Sequence, residues 1–398
     1  MSAMVANPAL AAAPAPPPIC RHPQIFLTFK SPEAITPQGN LHHYLRKATS
    51  GQRHSKAAFI SAMKLCSSIL DIPLGRSIHA QIVKCGVGSD RFIATSIVGF
   101  YSLCGLLTCA RQLFDGIHER DAVLWTVMLV GYAESGDIEA ARILFDEMPE
   151  RDVIAWNAML TCYLRSGFPA GALNLFQEMQ IDQISPNEVT IIGALSACSQ
   201  MGCLDLGMWI HASILKKMNN HCGTTLDNAL MNMYAKCAKL DVSLEIFLKQ
   251  ENKNLESWNT LLTGLARSSW VCRKSSLSLF SQMMKIGVWP DRISLLALLM
   301  ACSHAGMTDD ALRCFICVPK IYGVEPETRH YGCLVDALSR GGRLDEARML
   351  IEAMPLEPDA GVWGALLGGC LAHRSYELGI EAAKNILELE QGDEVGSN

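Results

Sequence analysis

The chain contains no run of eighteen apolar residues, so it has no segment long enough to cross a bilayer as a helix, and no membrane contact is expected. It has no surplus of positive charge either. Its 34 Lys and Arg stand against 39 Asp and Glu, for a net charge of −5. No protein-wide basic field is available, and a nucleic acid would have to be held by local charge along one groove. Phosphate-cradling P-loops, Ser/His/Asp arrangements and paired-carboxylate sites are missing. No catalytic residue and no cofactor are assigned.

Acid is absent from the first 32 residues, whose only charges are Arg21 and Lys30 beside the tract ALAAAPAPPP; residues 42–56 are basic. The compact apolar segment and clean cleavage site of a secretory signal are lacking. An acid-free, Ala-rich leader over residues 1–55 fits an organelle transit peptide. A disordered tail is the other reading. Scarce Arg favours plastid over mitochondrion.

Sixteen cysteines raise the question of disulfides or metal. Cys66, Cys198, Cys302 and Cys370 occupy one equivalent place in the repeat frame below, and Cys104 and Cys237 share another. A cysteine that recurs in a repeat reads as a small packing residue. Cys314 and Cys317 form one C-x-x-C inside an expected helix, with no second pair nearby, so no metal site is assigned. His118 beside Glu119, and the pair His42–His43, read as surface or tail residues.

What is present is repetition. Residues 119–129 read ERDAVLWTVML and residues 150–160 read ERDVIAWNAML. Registering the chain on the aromatic residue that opens each first helix gives units 56–90, 91–121, 122–152, 153–187, 188–223, 224–254, 255–291, 292–327 and 328–359, and a last one from 360. Each unit reads as two helices. In 153–187, Trp156, Met159, Leu160 and Tyr163 recur at i, i+3, i+4, i+7, and Gly167 ends the helix. The second helix carries Ala172, Leu175, Phe176 and Met179 on one face. No unit can bury its stripe alone, so neighbours must stack into an all-α solenoid. The hydrophobic fraction of 49% is ample for a continuous core.

Two polar places stand out in each unit, the fifth residue and the last. Asn157 lies one residue, about 100°, from the Trp156 stripe, and Asn187 closes the unit beside the next helix start. A groove offering one such pair per repeat can read one base edge per repeat, since Asn donates and accepts while ionised Asp only accepts. The other reading of the last residue is an N-cap, worth about 1 kcal/mol. A cap alone would use Ser and Thr as often as Asp and Asn.

The phrases GRSIHAQIVKCG (75–86), NEVTIIGALSACS (187–199), ALMNMYAKCAKLD (229–241) and the run 330–370 make the frame resemble pentatricopeptide repeats. Lengths alternating near 31, 35 and 36 resemble the plant PLS subclass, and the C-terminal run resembles a terminal short repeat followed by an E motif, as in E-type factors of organellar RNA editing. A tetratricopeptide array does not suit the 31-residue units. The resemblance implies a right-handed α-solenoid, with repeats over 56–359, an E-like motif over 360–393 and a tail at 394–398. It implies recognition of single-stranded organellar RNA, one base per repeat. Carried over residue by residue, Thr95 with Asp121 and Thr126 with Asp152 resemble guanine readers. Asn157 with Asn187 and Asn228 with Asn254 resemble pyrimidine readers. Asn259 with Asp291 resembles a uracil reader. The long units have apolar fifth residues, Ile60, Ile192 and Leu296, and are expected to contribute spacing or protein contacts. Gly332 with Asp359 is off the pattern, and its base stays open.

Phe92, Val123 and Ile154, at position two, are the expected base clamps; Glu256 departs from the pattern. Arg165, Lys236, Arg267 and Arg340, at position thirteen, are the expected phosphate contacts, or else solvated helix-end charges. The implied target is 5′-GGYNYUNNNNNC, its last C being edited. Some relatives carry a deaminase with H-x-E and P-C-x-x-C signatures. None of the eleven histidines here has Glu two residues on, so a deaminase-bearing protein of this family and editing cofactor proteins are expected to act in trans. Two alternatives are a protein-binding helical scaffold, and an RNA-binding factor for stability, splicing or translation.

Overall fold

The computed structural model describes residues 55–217, 223–267 and 275–395. The leader up to residue 54, most of the SSWVCRKSS insertion and the last three residues lie outside the described residues. Every described element is an α-helix. In order these are α1 (Lys56–Ile69), α2 (Ile72–Lys84), α3 (Arg91–Leu103), α4 (Leu107–Asp115), α5 (Ala122–Ser135), α6 (Ile138–Glu147), α7 (Val153–Arg165), α8 (Pro169–Ile181), α9 (Glu188–Met201) and α10 (Leu204–Lys217). They continue with α11 (Thr224–Lys236), α12 (Leu240–Lys249), α13 (Leu255–Arg267), α14 (Ser275–Lys285), α15 (Arg292–His304), α16 (Thr308–Tyr322), α17 (Thr328–Arg340), α18 (Leu344–Glu352), α19 (Ala360–His373) and α20 (Tyr376–Val395).

The odd-numbered helices form one row, each packed on the next. Each even-numbered helix packs on its own partner, and those from α4 to α18 also pack on the following odd-numbered helix. The result is a two-layer solenoid. Trp156, Met159, Leu160 and Tyr163 are all buried, as are Ala172, Leu175, Phe176 and Met179. Gly136 and Gly167 follow α5 and α7 at φ 78 and 70, a left-handed stop that costs a glycine little.

The doubled phrase marks a repeated joint. Trp125, Trp156 and Trp258 meet Phe114, Phe145 and Phe247 of the preceding second helix edge to face, at centroid distances of 4.9, 4.9 and 4.8 Å. The Arg before each Asp reaches back. Arg120 Nε donates to Phe114 O at 3.0 Å, and Arg151 Nε to Phe145 O at 2.9 Å, closing the C-termini of α4 and α6. The Asp after it caps the next helix. A second joint is His79 Nδ1 against Tyr101 Oη at 3.0 Å, repeated by His211 and Tyr234 at 2.9 Å.

The row of first helices is tight. A Cβ added at Gly131, Gly264 or Gly369 would stand 2.7, 2.9 or 2.3 Å from the Cβ of Ser102, Ala235 or Ser339 on the previous first helix. That close approach brings the end of one unit alongside the first helix of the next.

Candidate nucleic-acid interface

At the five polar joints the last residue of the unit caps the next first helix. Oδ1 of Asp121, Asp152, Asn187, Asn254 and Asp291 accepts the main-chain N–H three residues on, at 2.8, 2.8, 3.0, 2.9 and 2.9 Å. The adjacent row of helices places each such residue next to the fifth residue of its own unit.

Three pairs close. Asn157 Nδ2 donates to Asn187 Oδ1 at 3.0 Å, Asn228 Nδ2 to Asn254 Oδ1 at 3.2 Å, and Asn259 Nδ2 to Asp291 Oδ1 at 3.0 Å. The two threonine pairs stay open. Thr95 and Thr126 turn their hydroxyls back onto the carbonyls of Arg91 and Ala122, each at 2.8 Å. No bond to Asp121 or Asp152 forms among the described residues.

In four of the five pairs the last residue is the more accessible member, which the sequence did not reveal. Thr126, Asn228 and Asn259 are 6, 2 and 6% exposed, while their partners Asp152 and Asn254 are exposed and Asp291 is half-buried; Asn157 is half-buried beside an exposed Asn187, and Thr95 and Asp121 are both half-buried. The fifth residue supports and the last residue presents. Capping consumes Oδ1 of the last residue. The second terminal atom, Oδ2 of Asp121, Asp152 and Asp291 or Nδ2 of Asn187 and Asn254, has no hydrogen-bond partner among the described residues. Asp therefore offers an acceptor and Asn a donor.

Phe92, Val123 and Ile154 are 57, 49 and 45% exposed, and Val189 and Ile293 of the long units match them at 51 and 54%. An apolar row thus flanks the pairs and extends into the long units, which the sequence had assigned to spacing or protein contacts. Arg165, Lys236 and Arg267 are exposed and make no ion pair among the described residues. Arg340 differs, because its Nε is held by Asp336 at 2.8 Å, four residues before it on the same helix. Beside the off-pattern pair, Gly332 opens a cavity of about 330 Å³ also lined by Asp359, Asp336, Ser303 and Arg329.

Cys66, Cys198, Cys302 and Cys370 are buried. Burial pushes the Cys66 thiol up to about 11 and Cys198 up to about 12. Such thiols are poor ligands and nucleophiles at neutral pH. No group of three or more His, Cys, Asp or Glu residues placed to hold a metal occurs among the described residues.

A model of the PPR repeat family matches residues 151–200, and a PPR repeat model matches 123–153, 293–320 and 329–357. Pentatricopeptide repeat-containing protein At5g66520 of Arabidopsis thaliana is 43% identical, over 89% of this chain and 57% of its own length. At5g15300 of the same organism is 37% identical over 95% of this chain and 74% of its own length. The chain likewise spans about half to three-fifths of the length of several other relatives it matches. The crystal structure of the pentatricopeptide repeat protein PPR10 in complex with an 18-nt psaJ RNA element superposes at TM-score 0.73 and 15% identity, covering 88% of this chain and 53% of that one. PPR10 from maize superposes at TM-score 0.61 and 16% identity, over 90% and 57%. At such identity the likeness speaks to the fold. Repeat matches along the array and a relative followed over nearly three-quarters of its length agree: the chain belongs to the plant pentatricopeptide repeat family.

Proposed function

We propose that the chain is a sequence-specific single-stranded RNA-binding protein that takes one base per polar repeat. One observation carries this: a last residue whose Oδ1 is spent on the cap and whose second atom is free, repeated at five joints. A free carboxylate oxygen suits bases with a central N–H on the Watson–Crick edge, guanine and uracil. A free amide N–H suits bases with an acceptor there. The fifth residue then sorts by size. A retracted threonine leaves room for a purine, and a bridging asparagine leaves room for a pyrimidine. These assignments agree with the carried-over string 5′-GGYNYUNNNNNC. The exposed apolar row would sandwich the bases and Arg165, Lys236 and Arg267 would meet phosphates. That PPR10 was solved with a bound RNA element is consistent with this reading.

Gel shifts on RNAs differing by one base test it. Changing either guanine to adenine weakens binding at least several-fold; unaltered binding refutes the register.

The finer reading is an E-type PLS factor that selects a cytidine for C-to-U editing, with the deaminase supplied in trans. It rests on the resemblance of 330–370 to a terminal short repeat and E motif. The leader's composition supports a plastid address over a mitochondrial one; relatives bear both chloroplastic and mitochondrial names. Sequencing organellar RNA with and without the protein tests both parts. Loss of editing at a site matching the string supports the reading. Altered splicing, stability or translation with intact editing favours the second RNA role. A folded protein that binds no RNA at all favours a protein-binding scaffold.

A further inference from the structure

Each closed pair contains a third residue that no base-reading argument requires. It is the third residue of the following repeat: Thr190, Ser257 or Ser294. All three are 0% exposed. Thr190 Oγ1 lies 2.6 Å from Asn157 Oδ1, Ser257 Oγ 2.8 Å from Asn228 Oδ1, and Ser294 Oγ 2.5 Å from Asn259 Oδ1. The main-chain N–H of Asn187, Asn254 and Asp291 donates to the same hydroxyls at 3.3 Å in each case.

A hydroxyl has one proton. Two acceptors lie within its reach, the Asn carbonyl oxygen and Oδ1 of the last residue at 2.9, 2.8 and 3.0 Å. Because that Oδ1 already accepts the cap N–H and the Asn Nδ2, the proton is directed at the Asn carbonyl oxygen. The Asn amide must then turn its Nδ2 toward the last residue, where it bonds Oδ1. Polarity therefore runs from a backbone N–H, which cannot flip, through the hydroxyl and the amide to Oδ1 of the reading residue. The reverse amide orientation would set oxygen against oxygen at Asp291. With Oδ1 held by two N–H groups, the second atom of the last residue is forced outward.

The sequence shows the same coupling. Nine joints separate successive units. A hydroxyl stands at the third position after the three Asn units and at none of the other six. After the two threonine units the place is taken by Leu124 and Ala155.

We infer that Thr190, Ser257 and Ser294 are positioning residues for base selection, fixing the amide orientation of the fifth residue in the preceding repeat and with it the atom that the last residue presents. This deepens the RNA-reading proposal and rests on it for its functional half.

Two measurements on the full chain test it. The first needs no RNA: a double-mutant cycle in denaturant unfolding with Thr190→Val, which keeps the shape and removes the hydroxyl, and Asn157→Ala. Coupling is expected, Thr190→Val being costly in the native background and nearly neutral in the Asn157→Ala background. Additive effects overturn the inference. The second is binding to RNAs varied at the third nucleotide of the string. Thr190→Val lowers pyrimidine-over-purine discrimination there by about fivefold, the factor one neutral hydrogen bond is worth, and leaves the other nucleotides alone; Thr190→Ser restores it. Equal weakening on every RNA is a mere stability effect and overturns the positioning role. Conversion supplies a gain: Thr95→Asn with Leu124→Ser moves the first polar repeat from guanine toward uracil, whereas Thr95→Asn alone moves it less. Equal single and double variants refute the coupling. If the native chain shows no base preference at all, the RNA reading fails, and the unfolding cycle still decides whether the hydroxyl sets the amide.

Discussion

Asp152→Asn separates capping from reading at one residue. Oδ1 of Asp152 accepts Ala155 N at 2.8 Å, and an asparagine keeps that acceptor. The cap survives, and only the charge–dipole part is lost, about 0.3–1 kcal/mol at an exposed helix start. Asp137→Asn is the matched control. It caps α6 through the bond from Ala140 N at 3.0 Å, on a second helix outside the row of pairs. The two variants should show melting temperatures lowered by similar amounts. On RNA they should part. At Asp152 the free atom changes from acceptor to donor. Guanine at the second nucleotide then loses a charge-assisted hydrogen bond of about 1.5–3 kcal/mol, roughly 10- to 150-fold in Kd. Adenine, which has an acceptor at that edge, gains. Removing a negative charge beside phosphates also strengthens binding to all RNAs, so the readout is the guanine-to-adenine ratio from competition gel shifts. A ratio that stays put in Asp152→Asn, or shifts equally in Asp137→Asn, means that Asp152 is a cap and nothing more.

Other expectations follow from the same geometry. Gly264→Ala drives a methyl to within 2.9 Å of Ala235 Cβ on the neighbouring first helix, and overpacking of this kind should cost about 1–3 kcal/mol in denaturant unfolding. Gly332→Ala should do the reverse, since its Cβ would meet only Val362 Cγ2 at 3.7 Å; removing a mid-helix glycine gains about 0.5–1 kcal/mol. Burial raises the Asp227 carboxyl from 3.8 to about 6. Its ionisation therefore opposes folding as pH rises from about 4 to 6, and Asp227→Asn should raise the melting temperature at pH 7 but not at pH 3.5. Burial lowers His79 and His211 below 6.5, so the unfolded chain protonates first. Stability should begin to fall as pH drops below 6.5, and His79→Gln should flatten that slope in a pH series of melts.

Much of the fold was legible because stacking repeats the same demand. Trp156, Met159, Leu160 and Tyr163 had to share a face, and a stripe that no unit can bury alone has only a neighbour to go to. Less legible was whatever crosses a joint without periodicity. Arg120 and Arg151 look like surface charge in a loop, yet each reaches back six residues to close a helix. His79 and Tyr101 are 22 positions apart, and only the recurrence of His211 with Tyr234 would have hinted at a joint. The hydroxyls of Thr190, Ser257 and Ser294 resemble ordinary helix-start residues unless each is compared with the fifth residue of the unit before. Relative exposure within a pair was not readable at all. It depends on how closely the first helices approach, which the small residues at Gly131 and Gly264 set.

Capping and reading looked like rivals in the sequence because a single letter had to serve one or the other. The atoms remove the rivalry. A carboxylate or amide has two terminal atoms, one for the helix and one left over. A serine or threonine that caps has spent its only oxygen. If capping alone chose the last residue, hydroxyls would serve as well, yet the five joints carry only Asp121, Asp152, Asn187, Asn254 and Asp291. The second helices face the same need for caps and answer it differently. The starts of α4, α8, α12, α16 and α18 have no side-chain cap at all. Asp71 and Asp137 cap α2 and α6, but the fold tolerates five uncapped second helices, while all five polar joints of the first-helix row carry two-atom caps. On the proposed reading, what those five joints select is the atom that the cap leaves free.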